Sequence, residues 1–410
     1  MTGAGETLRA HYEDYPYPPR DPADEKNRLV VGSPSHLDEI NHYLWAGRLK
    51  PEQPFRALVA GGGTGDAVIM LAQQLKDRGF AADIVYLDLS EPSLGVARAR
   101  ADIRGLNTIR FRIGSLLDLD PARDGPFDYI DCCGVLHHLP DPVAGLHRLT
   151  GVLAADGGMG MMLYGSLGRT GVYPLQDALR ALAGTDLEGA ERLDLTRRVL
   201  ADLPRQNWFR RNPYLGDHDT GDDAALYDLL LHSQDRAYRV PEIVALAATA
   251  GLTPTAFIEP VRYDPDSYLD DPVLRQRVAH LPWLKRAALA ENLSGALKTH
   301  VFYLTRSARA DQAVVEVGAG AVPVVREQDP ALLSKAIAKD ATLSADFDGQ
   351  RLTLRFPDRA ADLVALCDGK RDLGVIQQNL GMASADFSDL FGATYRPLNG
   401  LNLMLLRLSS

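Results

Sequence analysis

The sequence predicts an α/β protein built on a doubly wound, mostly parallel seven-stranded sheet, with a helical insertion and a small α+β domain at the carboxy-terminal end. Three observations carry that prediction. RALVAGGGTGD (Arg56–Asp66) runs an apolar strand straight into glycines 61, 62, 63 and 65 and on into a helix-compatible stretch, the way a buried parallel strand turns sharply into a helix. A second apolar strand within IVYLDLS (Ile84–Ser90) ends in Asp88, 23 residues after Gly65, where a carboxylate can accept both hydroxyls of a ribose. From Pro54 to Gly165 strand and helix patterns alternate, the signature of such a sheet.

Residues 1–50 form a leader whose most distinctive part is YEDYPYPPRDP (Tyr12–Pro22). Tyrosines interleaved with prolines favour extended, low-entropy backbone, so this run reads either as a strap closing over a ligand or as an arm packed on the domain surface. His36–Leu49 reads as an amphipathic helix with Leu37, Ile40, Leu44 and Trp45 facing inward. Strands are expected at 56–60, 84–88, 109–113, 128–133 and 159–164, and helices near 66–78, 92–104 and 142–153. Ser90 caps the second of these helices, Asp141-Pro142 starts the third, and Asp156-Gly157-Gly158 marks a turn before the fifth strand.

After Gly165 the alternation stops. Helices near 174–184, 191–202 and 223–232 flank a polar, aromatic loop, QNWFRRNPYLGDHDTGDD (206–223). An insertion over 166–240, on the carboxyl side of a parallel sheet, lies where ligands bind and reads as a substrate lid. Alternation returns with a helix at 241–250, a strand at 254–260, a helical stretch at 272–292 and a strand at 300–305, the last two strands closing the sheet as an antiparallel edge. The domain so delimited spans 51–306. Ser307–Gly320 reads as a linker or a first strand of the next unit. A 307–410 unit follows: helix 329–338, strand 351–356, helices 358–367, 372–380 and 384–392, and strand 401–408, a winged-helix-like set. Leu373–Leu380 (LGVIQQNL) carries no positive charge, so docking or dimerisation is expected of this unit rather than DNA reading.

At 410 residues, 46% apolar and 24% charged, the chain has room for two or three domains with a sizeable core. A net charge of −10 provides no basic field for nucleic acid. Of the three cysteines, Cys132 and Cys133 are adjacent in an apolar strand and Cys367 stands apart, so neither a disulfide framework nor a metal site is expected. No apolar run is long enough to span a membrane and the amino-terminal end lacks an apolar secretory region, which together predict a cytoplasmic protein.

Three readings of Gly61–Gly65 compete. The dinucleotide pattern G-x-G-x-x-G would need glycine where Asp66 stands; the phosphate-cradling loop would need a following Lys-Ser/Thr; a structural turn would need neither but leaves Asp88 without a purpose. With VAGGGTGD, VYLDLS, GSLLDL (114–119) and FDYIDCCGVLHHLPDP (127–142) in that order, the sequence resembles the class I S-adenosylmethionine-dependent methyltransferases over about 54–165, and more weakly to 306. The resemblance implies a Rossmann-like sheet and S-adenosyl-L-methionine as cofactor, with S-adenosyl-L-homocysteine as product. It places Gly61, Gly63 and Gly65, with Gly62 and Thr64 of the same loop, against the methionine part. Asp88 and Leu89 would serve the ribose, Ser115 and Leu116 the adenine, and Cys133 and Gly134 the sulfonium. Two usual acidic contacts are replaced: Val59 stands two places before the first glycine, and Ser115 follows the third strand. Something outside the core must share the cofactor's grip, and Tyr17 in the leader is the first candidate.

The resemblance implies methyl transfer to N, O or S on a small polar metabolite or a peptide or protein side chain. A silent cofactor-binding scaffold, and a protein methyltransferase docking its partner through the terminal unit, are the alternatives. LVALCDGKRDLGVI (Leu363–Ile376) resembles a winged-helix-like segment appended to some bacterial enzymes, including methyltransferases acting on proteins. A homodimer is also compatible. Of His137-His138, the first is expected to pack and the second to line the pocket, where an imidazole can serve as general base. Tyr164, Arg169, Tyr173 and Gln176 should face the same cleft, and HSQDRAY supplies His232, Asp235 and Arg236 as candidate substrate contacts, Asp235 alternatively pairing with Arg236. Asn207, Trp208 and Phe209 could add an aromatic wall.

Overall fold

The computed structural model describes residues 17–184, 187, 189–216, 223–232 and 234–409. Tyr12–Pro16 of the leader and residues 217–222 of the insertion's loop lie outside them. The chain opens with α1 (Leu37–Leu44) and then alternates β1 (Phe55–Ala60), α2 (Asp66–Asp77), β2 (Ala82–Asp88), α3 (Glu91–Arg104), β3 (Ile109–Ile113), β4 (Phe127–Cys133), α4 (Pro142–Gly151) and β5 (Leu153–Tyr164). Four helices follow: α5 (Val172–Ala183), α6 (Gly189–Asp202), α7 (Trp208–Arg211) and α8 (Asp223–Leu230). The sheet is completed by α9 (Val240–Thr249), β6 (Leu252–Phe257), α10 (Pro272–Ala279), α11 (Trp283–Ser294) and β7 (Thr299–Arg306).

The strand order is 3-2-1-4-5-7-6. β1 to β5 pair in parallel, and β7 runs antiparallel to both β5 and β6. The expected closing pair is therefore realised with β7 slotted between β5 and β6, so β7 alone runs against the other strands. The central strands β1 and β4 are apolar on both sides because helices cover both faces. Leu58, Ile130 and Met161 lie in one apolar cluster, and Val59, Tyr129 and Tyr303 in the other. The crossovers put the carboxyl ends of β1, β2 and β4 at one edge, where the order reverses between β1 and β4.

Asp156-Gly157-Gly158 is not a turn. It lies inside β5, where Phe127 faces Leu153 but Tyr129 faces Gly158, a bulge in one continuous strand. A Cβ on Gly158 would stand 2.6 Å from Leu44, so the glycine serves the approach of α1 to the sheet. The stretch expected as one helix over 272–292 divides at Pro282 into α10 and α11.

The terminal unit contains β8 (Ala321–Val325), α12 (Pro330–Asp340), β9 (Thr342–Phe347), β10 (Gln350–Arg355), α13 (Ala360–Ala365), α14 (Leu373–Leu380), α15 (Ser384–Gly400) and β11 (Met404–Leu408). β8 pairs with β11 and β9 with β10, both antiparallel. β9 escapes the sequence reading although Asp348-Gly349 signals its hairpin; both residues take positive φ, 54° and 88°. Ser307–Gln312 forms a short 3-10 turn rather than a strand.

This unit explains why α1 is buried all round rather than amphipathic. Asp38, Glu39, Asn41 and His42 are buried together with Leu37, Ile40 and Leu44. The Leu406 N–H donates to His42 Nδ1 at 3.0 Å, and Asn402 donates to Glu39 at 2.8 Å. Arg326 also pairs with Glu39. The insertion has its own apolar centre, with Val172, Leu175, Phe209 and Leu229 packed together.

Candidate active site

The site is assembled where β1, β2 and β4 end. Beyond β1 the backbone passes through Gly61 and Gly63 at φ 81° and 51°, conformations that L side chains rarely adopt. A Cβ on Gly62 would overlap the Tyr86 ring, and one on Gly63 would stand 2.7 Å from the Tyr17 carbonyl oxygen. The loop is thereby pulled into a shallow cradle. Asp88, at the end of β2, braces it: its carboxylate accepts from Gly63 N–H at 2.7 Å and from Ser90 N–H at 2.8 Å. Burial pushes the Asp88 carboxyl above the usual range, against the pull of those N–H donors.

A cavity of about 440 Å³ opens over this cradle. Gly61, Gly62, Gly63, Asp88, Leu89, Ser115, Leu116, Cys133 and Gly134 line it, as does Tyr17 from the leader. Two residues of the loop do not. Thr64 is buried against the leader, its hydroxyl donating to the Pro18 carbonyl at 2.6 Å. Gly65 starts α2 at φ 104°, and a Cβ there would stand 2.9 Å from the Ala97 Cβ, so its role is close packing of α2 against α3. The Ser115 hydroxyl accepts from Leu117 N–H at 3.1 Å and so shapes the turn that carries Leu116.

The opposite side of the cavity is polar. His138, Tyr164 and Asp228 line it, Asp228 arriving from α8 of the insertion. Tyr164 donates its hydroxyl proton to Asp228 Oδ2 at 2.9 Å. One nitrogen each of His138 and His232 and a carboxylate oxygen of Asp228 lie within 4.8 Å of one another. The two rings stack at 3.8 Å between centroids. His138 Nδ1 sits 3.1 Å from the Gln234 carbonyl, which places its proton on Nδ1 and its lone pair on Nε2. His232 Nδ1 accepts from Gln234 N–H at 3.1 Å, which places its proton on Nε2. Such a trio has metal-ligand spacing, but a protonated Nε2 on His232 suits donation to a ligand better than metal coordination.

His137 packs, as expected, stacked on Tyr164 at 3.9 Å, and burial depresses its basicity well below that of a free imidazole. The remaining candidates stand behind the cavity or away from it. Asp235 pairs with Arg169, 3.3 Å apart and both buried, not with Arg236, whose guanidinium instead reaches Glu242 at the surface, 2.8 Å away. Arg169 in turn lies over the Tyr164 ring, 3.8 Å from its centroid. Tyr173 is part of this buried layer, and burial pushes its hydroxyl well above the usual phenol range, so it stays protonated. Gln176 donates to the Leu229 carbonyl at 3.1 Å and ties α5 to α8. Asn207 caps α7, Phe209 is in the insertion's core and Trp208 is exposed, so these three build the insertion rather than a wall of the cavity.

Asp228 was not among the candidates read from sequence. LYDLL offers a lone carboxylate on an apolar helix, and only the docking of α8 brings it to the ends of β4 and β5. The cradle, the carboxylate at Asp88 and the cavity's extent fit the expected cofactor.

Residues 58–159 match the family model described as a methyltransferase domain. The chain is similar to an uncharacterized protein of Synechococcus sp., 30% identical over 312 residues, covering 74% of this chain and 72% of that one. It is also similar to the demethylmenaquinone methyltransferase of Thermus thermophilus, 36% identical over 104 residues, although it spans only 44% of that enzyme's length and the match takes 25% of this chain. Among solved structures it shares the fold of PKMT2 from Rickettsia typhi in complex with AdoHcy, with a TM-score of 0.63 and 14% identity, covering 92% of this chain and 76% of that one. Among the described residues no helix is long and apolar enough to cross a membrane.

Proposed function

The chain belongs to the class I S-adenosylmethionine-dependent methyltransferases, and from that premise we propose that its methyl acceptor is an amine nitrogen, carried on a small polar molecule or on a peptide side chain. The observation that carries this reading is the pairing of Asp228 and His138 on the cavity wall opposite the glycine cradle. An amine arrives as an ammonium ion and must shed a proton before its lone pair can attack. A carboxylate attracts the cation, and an imidazole whose Nε2 bears the lone pair takes the proton. Bound against the glycine cradle and Asp88, the cofactor supplies a methyl group on positively charged sulfur.

In this reading Asp228 orients the ammonium, Tyr164 fixes the carboxylate through the 2.9 Å hydrogen bond, and His138 is the general base. The His138 ring is held by the Gln234 carbonyl on one side and by stacking on His232 on the other. The 166–240 insertion acts as the lid, since Asp228 and His232 both come from it. Tyr173 and Asp235 act through Arg169, which supports the Tyr164 ring, and Arg236 takes no part. Positioning of this kind is worth several kcal/mol of barrier in favourable cases.

The test is turnover of isotopically labelled cofactor on matched acceptors differing in the nucleophile: primary amines, hydroxyls, carboxylates and thiols, free and within peptides. Amines are expected to be labelled, with kcat/KM lowered on the order of 100-fold by His138→Ala and by Asp228→Asn while cofactor affinity holds. Exclusive labelling of a hydroxyl or carboxylate overturns the reading.

A further inference from the structure

Asp131 is a buried carboxylate that no cation among the described residues neutralises. It is 1% exposed, yet it borders the cavity together with Ser35, Gly61 and Cys133. Ser35 Oγ donates to Oδ2 at 2.6 Å, and Cys133 Sγ reaches the same oxygen at 3.6 Å. Among the described residues no lysine, arginine or histidine figures among the groups acting on it, and burial lifts the carboxyl to about 6. A buried charge is ordinarily paired, because its desolvation is otherwise uncompensated. A carboxylate placed so, at the rim of a ligand cavity, leaves its counter-charge to the ligand.

Its register says which part of the ligand. In the β1–β4 ladder Asp131 is the cross-strand partner of Val59. Val59 occupies the position, two places before the first glycine, where an acidic side chain is expected and missing. Side chains paired across adjacent strands point to the same face and stand at the same height, and Val59 shares its apolar cluster with Tyr129, two residues before Asp131 on β4. A carboxylate on β4 at this register thus reaches the region that an acid on β1 would serve. An ionised carboxylate has about four lone-pair sites, so the donors from Ser35 and Cys133 leave capacity for an ammonium group.

We infer that Asp131 supplies from β4 the carboxylate that Val59 lacks on β1, and that it binds the α-ammonium of the cofactor's methionine portion. The inference rests on the methyl-donor assignment and is independent of the acceptor's identity. It makes Asp131 a cofactor-binding residue. It also gives Ser35 a task, since the 2.6 Å hydrogen bond holds the carboxylate from the leader side.

Calorimetric titration of the full chain with S-adenosylhomocysteine and with its deamino analogue tests this. Asp131→Asn is expected to weaken S-adenosylhomocysteine on the order of 10- to 100-fold, the scale of a lost hydrogen bond to a charged group, and to leave the deamino analogue's affinity unchanged. Equal losses on both ligands would make Asp131 a structural residue and overturn the inference, as would no loss on either. A second measurement needs no variant. At pH near 6, titration of the wild type in buffers of different ionisation enthalpy should show proton release with S-adenosylhomocysteine and none with the deamino analogue; identical proton release for the two ligands also overturns it. Failure of the wild type to bind S-adenosylhomocysteine at all would instead sink the cofactor assignment, and with it this inference.

Discussion

Arg20 of the leader grips Asp66 at the start of α2 with two prongs, Nε to Oδ1 at 2.9 Å and Nη2 to Oδ2 at 2.7 Å. Asp66 also receives Arg100 at 2.7 Å, and the almost fully buried Arg100 pairs with Glu25 of the leader. Together with Thr64, which bonds the carbonyls of Tyr17 and Pro18, these pairs lay the leader across the glycine loop. The residue that spoils the dinucleotide pattern is thus the anchor of the strap.

Arg20→Ala is therefore expected to weaken cofactor binding by about five-fold while moving the thermal midpoint little, because a partly exposed pair contributes about 1 kcal/mol or less to folding. Calorimetry and a thermal melt on the same preparation check it. An unchanged affinity would mean that the strap does not contribute to binding.

Asp88→Ala and Gly63→Val should each abolish measurable cofactor binding. Removal of the Asp88 carboxylate takes away the proposed ribose acceptor and orphans the Gly63 and Ser90 N–H groups at once. Valine at 63 would carry a β-branched side chain at φ 51°, with its Cβ 2.7 Å from the Tyr17 carbonyl oxygen. Wild-type titration curves for both variants would refute the placement of the cofactor.

Removal of residues 307–410 should unfold more than the terminal unit. Its docking buries the polar side of α1, including His42 and Glu39, and Leu405 joins the apolar cluster of the main sheet. Arg326→Ala, which leaves the fully buried Glu39 without its cation, is expected to cost about 3–5 kcal/mol. Denaturant titration measures the latter. A cooperative, full-stability transition in the 1–306 fragment would show the two parts to be independent.

Stability should fall on acidification between about pH 6.5 and 4. Burial lowers the basicity of both His36 and His42 to about 4. In that window the unfolded chain binds protons that the folded chain refuses, so the contribution is complete above the unfolded value near 6.5 and lost as pH drops, at up to about 1.4 kcal/mol per pH unit for each histidine. Asp131, with its carboxyl raised to about 6, acts in the opposite sense and partly offsets the loss. His42→Asn, which keeps an acceptor for the Leu406 N–H, should flatten the slope in a pH series of denaturant midpoints.

The glycine cradle, Asp88, the five parallel strands and His138 were legible in the sequence because each is written in adjacent residues: an apolar run, a turn that only glycine tolerates, a carboxylate at a strand end. Period-two and period-3.6 patterns report local geometry, and at those positions local geometry decides. The same logic misjudged Asp156-Gly157-Gly158, whose Gly158 answers to Leu44 on another element, and did not foresee that Thr64 and Gly65 face the leader and α3 rather than the cavity.

What only the tertiary structure decided is which distant groups share a space. Asp228 comes to His138 through the docking of an insertion helix, Asp235 finds Arg169 instead of its neighbour Arg236, and the polar side of α1 is buried because β11 lies against it. Asp131 shows the reason most plainly. The sequence marked Val59 as a missing acid, but a carboxylate 72 residues further on becomes its equivalent only through the β1–β4 register, since hydrogen-bonded strands bring side chains to one height on one face regardless of their separation along the chain.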